Sequence, residues 1–460
     1  MTDTSSAVAP PTGSDLPRPT SSSSPLRHRG IRGLLLSEII SSAGSQMTML
    51  ALPWFVLATT GSISRMGFVF AAELLPVALL GIPAGLLVAR TGVRRIMLAG
   101  DALRAVLIAV VPVLRLFGAL SFPLLLAMVA VVGAVSTPYV AAQRLALPEL
   151  VGEDEQLMLR AGGLLEAAIR GASLIGPALA GLVIGLVGAV NVLWVDAATF
   201  VISFALLTTL PRPAADLSAA ARSEGVLTGA RAVLGDRVLA TVTGASLLYG
   251  FFFPFVIASL PVMAELRFGH NPHTAGLLLG AWGGGALLGA LTTGRFADRL
   301  NPLRMGAYAA LALDAVLWFL PWHFPAAVVV VVLVSSGFFT PLLNTPLLTL
   351  LLSRTEPAVR AQAVTFVMTA NLLAGPVAFA VSGFAFSGWG VEPVLAVVAA
   401  GLLVCALLLT RLAFTVPQPE QEEQPGEEPS TRQEPQSHQE PQSHQEPQSH
   451  QESKPQPLPE

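Results

Sequence analysis

The chain has 460 residues, of which 53% are hydrophobic and only 12% charged, with a net charge of −3 at pH 7 and a mean hydropathy of +0.66. Soluble domains carry about a quarter charged residues, so most of this chain cannot face water, and the small net charge implies neither nucleic acid nor a polyanion as partner. The single cysteine, Cys405, lies in an apolar run, which excludes a disulfide framework and a thiolate metal cluster.

Residues 1–26 are rich in Ser, Thr and Pro and have no apolar core, which predicts a disordered cytoplasmic lead-in and no cleavable signal peptide. Arg27, Arg29 and Arg32 then precede the first apolar run. A spanning helix needs about 20 mostly apolar residues. On that rule spans fall at 33–57, 66–88, 96–117, 122–142, 161–188 and 190–210, an N-terminal six-helix bundle within 27–210. The segment 211–237 breaks the pattern with Pro211, Pro213 and a run of charges, and reads as a cytoplasmic linker. Within it Val226, Leu227, Ala230, Val233 and Leu234 fall at helical spacing, as in a short amphipathic helix at the membrane surface. Spans at 238–262, 274–294, 304–320, 325–351, 361–386 and 391–412 follow, a second six-helix bundle within 238–414. Residues 415–460 are polar and repetitive, with Gln-Glu-Pro-Gln-Ser-His recurring from Gln433 to His450, and predict a disordered cytoplasmic tail.

Basic residues that flank spans are retained in the cytoplasm. With the amino terminus inside, 14 arginines fall in inner loops and the linker, and only Arg65, Arg115 and Arg267 fall outside. The expected product is a multi-pass protein of the cell membrane, all-α, with both termini cytoplasmic.

Two stretches are copies of one turn. Gly85-Leu-Leu-Val-Ala-Arg90-Thr-Gly92-Val-Arg94-Arg95 recurs 209 positions later as Gly294-Arg295-Phe-Ala-Asp298-Arg299-Leu-Asn301-Pro-Leu-Arg304. A second repeat pairs Gly171-x4-Gly176-Pro177-x3-Gly181 in span five with Gly375-Pro376 and Gly383 in span eleven, 199 positions on from Gly176. Glycines at such spacing let helix backbones approach closely, and proline removes a backbone donor and kinks the helix. A kinked helix with a small-residue face is a rocking surface.

The twin turns resemble the signature of the major facilitator superfamily, a Gly-x-x-x-Asp-Arg-x-Gly-Arg-Arg loop joining spans two and three, with a weaker copy joining spans eight and nine. The resemblance covers about residues 30–412. It implies twelve helices in two pseudo-symmetric six-helix bundles, and a cytoplasmic latch in which Gly85, Arg90, Gly92, Arg94, Arg95, Gly294, Asp298, Arg299 and Arg304 hold the outward-open state. Asp101 and Arg104, near the inner end of span three, belong with that latch on this reading. Ala89 departs from the pattern, standing where the family has Asp, whereas Asp298 is kept in the second copy. Gly162 and the Gly/Pro run of span five come close to the family's antiporter motif, off by one at two places. A series of shorter strings, among them Asp101-Ala-Leu-Arg104, Leu147-Pro148-Glu149-Leu150-Val151, Ile175-Gly-Pro-Ala-Leu-Ala-Gly181 and Asp196-Ala-Ala-Thr199-Phe200, resembles the drug:proton antiporter branch of macrolide-efflux proteins and the enterobactin exporter. That branch implies antibiotic-resistance efflux of a bulky hydrophobic or amphipathic compound, driven by protons.

A charge at a helix centre costs roughly 2.5–3.5 kcal/mol on insertion scales and is tolerated only against a cavity or a partner. Glu73, Asp314, Glu38 and Asp196 are therefore the candidates for proton coupling. Glu166 and Arg170, four apart on one helix, can pair directly, either as a structural ion pair or as one that substrate or a proton breaks. No nucleotide-binding loop and no His-Glu-x-x-His metal motif occurs, so the chain does not read as an enzyme. The expected partners are a small-molecule substrate, protons and the bilayer, with no cofactor, no metal, no nucleic acid and a monomeric state. An importer of small metabolites and a non-transporting sensor or scaffold stay open as alternatives. Ala89→Asp is expected to alter gating, read as a changed transport rate; an unchanged rate counts against a latch at this turn.

Overall fold

The computed structural model describes residues 25–152, 154–210, 226–297 and 301–415, and these are wholly helical apart from turns. A 3-10 turn at Pro25–Arg27 leads into α1 (Arg29–Thr60), α2 (Ile63–Thr91), α3 (Val93–Leu116), α4 (Phe122–Val151), α5 (Glu155–Val187) and α6 (Ala189–Thr208). After α7 (Val226–Gly235) come α8 (Arg237–Leu266), α9 (Pro272–Ala297), α10 (Pro302–Leu317), α11 (Ala326–Arg354), α12 (Arg360–Trp389) and α13 (Val391–Thr415). Each predicted span falls on one of these helices. In hydrocarbon every backbone N–H and C=O needs a partner within its own segment, which leaves long apolar runs only the helix. Ten of the helices are long and apolar enough to cross a membrane. The other two that fall on predicted spans are α10, with 16 residues, and the 32-residue α1, which carries Glu38 and a run of small polar residues. The segments 1–24 and 416–460, and the part of the linker at 211–225, lie outside the described residues.

The ends of the helices are set by local chemistry. Asp154, Asp236 and Asn301 each accept a bond from a first-turn N–H, with O···N distances of 2.9, 2.7 and 2.9 Å, which satisfies donors that the helix itself cannot. Gly92 turns the chain between α2 and α3 at φ 90° and ψ 144°, a conformation open to glycine and strained for other residues. Its counterpart in the second copy is Asn301, at φ −57° with Pro302 following as the first helical residue. The two turns are thus alike in sequence and different in construction. Gly85 and Gly294, the opening glycines of the motif, take no part in either turn: both are helical, and a Cβ on either would meet nothing within 4 Å.

The helix α7 packs on protein. Val233 is fully buried with Leu239, Leu351 and Ala363. Gly229 lies so close to the backbone of Gln362 on α12 that any side chain there would collide. Asp236, just after α7, is 3.6 Å from Arg354 at the end of α11.

Helices α1–α6 pack chiefly on one another, as do α8–α13, and two seams join the sets: α5 against α9, and α2 against α12. The seams are tight at one end only. At the end carrying the α1–α2 turn, a Cβ on Gly67 would sit 2.6 Å from the carbonyl of Phe379, and one on Gly181 would sit 2.6 Å from that of Pro272. Gly276, Gly283 and Gly383 are equally confined by backbone of the facing helix. Ser64 and Ser387 meet there with hydroxyls 2.8 Å apart. At the other end, which carries the two basic turns, Gly85, Gly163 and Gly294 on the same helices face open space. We call these the sealed end and the basic end. A Ser64→Cys, Ser387→Cys pair is expected to crosslink on oxidation and to stop transport until reduced; transport unaffected by verified crosslinking would show that this seam does not open in turnover.

Candidate functional site: a cavity at the centre of the helices

Two adjoining hollows share Met49, Glu73 and Arg170. The first, of about 630 Å³, lies among helices of the first half and is lined by Glu38, Gln46, Glu73, Arg104, Tyr139, Glu166, Arg170 and Asp196. The second, of about 390 Å³, reaches into the second half and meets Tyr249, Phe253, Trp282, Thr340, Asn344 and Phe379. Between it and the sealed end lies the stacked pair Phe70 and Phe379, with ring centres 4.8 Å apart. One half of the site is polar and charged, and the other is an aromatic wall.

Asp196 on α6 is 1% exposed, and its carboxylate accepts from Thr48 at 2.5 Å and from Thr199 at 3.2 Å. Gly44 on α1 is what lets α6 come this close, because a Cβ there would overlap Asp196 and Thr199. Glu38 accepts from Ser42 at 2.5 Å, and its second oxygen is buried with no partner among the described residues. Glu73 has no hydrogen-bond or ion-pair partner among the described residues, and it faces both hollows. Pro76, one turn on, leaves the carbonyl of Ala72 without its helical donor, and Gly133 lets α4 pack against the backbone at Glu73. Hydroxyls of Ser42, Thr48 and Thr199 hold Glu38 and Asp196, with the Arg104 guanidinium near both and the Gln143 amide near Glu38, whereas Glu73 has no such partner among the described residues.

Three arginines, Arg104, Arg144 and Arg170, also line the first hollow, and two of them are paired. Arg104 is 5% exposed. Its guanidinium donates to Asp101 at 2.6 Å and lies between the rings of Tyr139 and Phe200, 3.7 and 4.4 Å from their centres. Asp101 takes a further bond from Ser203 at 2.6 Å. The sequence places Asp101 and Arg104 with the latch; in the structure Arg104 lines the first hollow and Asp101 is fully buried against it, about two and a half to three turns of α3 beyond Gly92. Arg170 donates to Glu166 at 2.8 Å, with the two side chains 43% and 58% exposed to the cavity.

Other expected residues fall differently. Asp314 lies on α10, buried among helices of the second half, where Trp318 donates to it at 3.2 Å; it lines neither hollow. Of the turn residues, Arg90 and Arg95 are exposed, and Arg94 donates to the carbonyl of Thr208 at 2.8 Å, clipping α3 to the end of α6. Arg304 stacks at 5.8 Å over Phe414. Asp298 and Arg299 lie outside the described residues. Of the rocking-helix residues, Gly181 and Gly383 sit in the seams, whereas Gly176 packs against Gln46 of α1, and Gly171 and Gly375 are uncrowded. Pro177 and Pro376 are buried inside α5 and α12. Thr48, Ser42, Gln143, Trp282 and Asn344 are not singled out by the sequence; a polar residue inside an apolar span is the signal that marks each of them except Gln143, which falls one position beyond the span at 122–142. A wider hollow of about 920 Å³ at the sealed end, bordered by Arg115, His270 and His273, is separate from the carboxylates.

The family model for transmembrane secretion effectors matches residues 20–443. The chain belongs to that family of major facilitator transporters. The multidrug efflux pump Tap of Mycolicibacterium fortuitum is 28% identical over 364 residues, covering 76% of this chain and 87% of that protein. Tap of Mycobacterium tuberculosis is 26% identical over 395 residues, covering 82% and 92%. Among solved structures, the nucleoside transporter NupG superposes with a TM-score of 0.69 at 14% identity, covering 84% of this chain and 99% of its own, a likeness of fold. These relatives are membrane transporters and not enzymes, and so is this multi-pass protein. Truncating Arg104 would leave Asp101 as an uncompensated buried charge, a loss of about 3–5 kcal/mol in comparable pairs. Arg104→Ala is therefore expected to lower the melting temperature of the purified protein sharply, and an unchanged melting curve would contradict the buried pair.

Proposed function

We propose that this protein exports a bulky amphipathic compound across the cell membrane, by proton-coupled alternating access between two six-helix halves. On this reading α1–α6 and α8–α13 supply twelve spans, with α7 on the linker, and the arginine asymmetry makes the basic end cytoplasmic. The observation that carries the reading is the cavity itself: carboxylates on one side, Glu73 among them without a partner among the described residues, aromatic rings on the other, open toward the basic end and closed beyond Phe70 and Phe379. That is a receptor for a compound arriving from the cytoplasm. The similarity to the Tap multidrug efflux pumps favours export over import.

The mechanism follows from what a buried carboxylate can tolerate. Such a group is stable when it is neutral or faces a cation, and costly when ionised and alone. In the state open to the outside it takes a proton; in the state open to the cytoplasm it gives the proton up as substrate enters. The halves rock about the α2–α12 and α5–α9 seams, where backbone-on-backbone packing lets helices slide without dislodging side chains. Glu73 is the leading carrier, with Glu38 and Asp196 beside it. Asp314, set apart from the cavity, serves packing in the second half.

Everted vesicles are expected to accumulate substrate when a proton gradient, acid inside, is imposed, and to lose this with Glu73→Gln while keeping it with Asp314→Asn. Substrate uptake into right-side-out vesicles instead would support an importer, and full activity of the Glu73 variant would remove that residue from the coupling step.

A further inference from the structure

We propose that the wide hollow at the sealed end is a second binding site, for a flat aromatic compound bearing one negative charge, and that a ligand there holds the sealed end shut. Its effect on turnover rests on the alternating-access reading; its binding does not. The hollow, of about 920 Å³, is lined by none of Glu38, Glu73 and Asp196. Its walls come from both halves: α1, α3, α5 and α6 of the first, and the end of α8 with the start of α9 of the second. Four ionisable side chains among the described residues border it. Glu265, with 17% of its side chain exposed, is 2.7 Å from Nδ1 of His270. The ring of His273 lies against α5, so close that a Cβ on Gly185 would collide with its Nε2. Arg115, at the end of α3, is exposed, and its guanidinium stands 5.8 Å from the ring centre of Phe55 with no acid or carbonyl partner among the described residues. The hollow thus leaves a positive charge unmatched.

A sulfonate or carboxylate suits that charge, because the planar guanidinium donates two parallel bonds to such a group. The rest of the lining suits an aromatic body. Trp54, Phe55 and Trp194 border the hollow, and Trp194 is 41% exposed, so a flat ring can stack on its indole and gain beyond simple burial. The consequence for turnover follows from where the walls stand. His273 on α9 meets Gly185 on α5, and one turn earlier on α5 a Cβ on Gly181 would sit 2.6 Å from the carbonyl of Pro272. Parting α5 from α9 at this end would draw the wall that carries Arg115 and Trp194 away from the wall that carries His270 and His273. A ligand that touches both walls favours the closed arrangement, by as much as its affinity differs between the two. With the basic end in the cytoplasm the hollow faces outside, and such a compound blocks export from the far side.

Three probes of similar size separate charge from bulk: naphthalene-2-sulfonate, neutral naphthalene-2-sulfonamide and the cation 2-naphthylmethyl-trimethylammonium. Binding to the purified full-length protein in neutral detergent is followed by calorimetry. The sulfonate is expected to bind about tenfold or more tightly than either control. Arg115→Gln is expected to remove that margin and to elute as the parent does in size exclusion, and Arg115→Lys to keep the preference for the anion. The oxidised Ser64→Cys, Ser387→Cys protein, fixed with its sealed end shut, is expected to bind the sulfonate at least as tightly as its reduced form. In everted vesicles, where the sealed end faces the lumen, sulfonate loaded inside is expected to slow accumulation at least about twofold, and Arg115→Gln to restore the rate. Equal binding of the three probes, binding of none, or sulfonate affinity unchanged in the Gln variant overturns the site. Weaker binding to the crosslinked form, or an undiminished rate in sulfonate-loaded vesicles, overturns the closing effect. Vesicles that accumulate no substrate even without sulfonate would instead remove the export reading and leave an Arg115-dependent site standing.

Discussion

The close approach of helix backbones at one end of two seams is the constraint from which the rest of the molecule follows. Gly67, Gly181, Gly276, Gly283 and Gly383 let the backbones of α2 and α12, and of α5 and α9, approach each other directly. The same helices carry Gly85, Gly163 and Gly294 at their other ends, and there the glycines face nothing. Because a helix is stiff along its length, contact at one end and separation at the other define a wedge. The cavity is the inside of that wedge. Small residues at both ends also explain how the reverse arrangement would be built, with the basic ends closed and the sealed ends apart.

Charge burial shapes the cavity in the same economical way. The first half supplies the titratable groups, Glu38, Glu73, Asp196 and the Glu166–Arg170 pair, while the second half supplies Tyr249, Phe253 and Trp282. Arg104 shows how a full charge is kept inside: one carboxylate, two aromatic faces, and a serine that completes the carboxylate's own bonding. Glu73 has none of this support. A saturated arginine and an unsupported glutamate thus line the same cavity.

The spans were legible in the sequence because each apolar run is bounded by a residue that breaks or caps a helix, such as Gly61, Gly92, Asp154, Gly188 and Asn301. Boundaries drifted where amphipathic sequence continues a helix beyond the hydrocarbon: the run at 122–142 belongs to a helix that continues to Val151. Depth was legible as well, since counting residues from the nearest arginine locates Glu73. Rotation was not. Asp314 and Asp196 look alike in sequence, each one acid in an apolar span, yet Asp196 lines the cavity and Asp314 packs beside Trp318. Nor did the sequence reveal that the motif glycines Gly85 and Gly294 would be uncrowded, because residue identity does not tell at which end of a seam two helices meet.

The most direct test of the account is the proton itself. The purified protein is placed in weakly buffered detergent near neutral pH, a saturating amount of an amphipathic compound that everted vesicles accumulate is added, and the proton count in solution is followed. Exchange at a cavity carboxylate predicts that binding releases protons in proportion to the ligand bound, and that the release disappears in Glu73→Gln. Saturating binding with no proton released by the unmodified protein would contradict it.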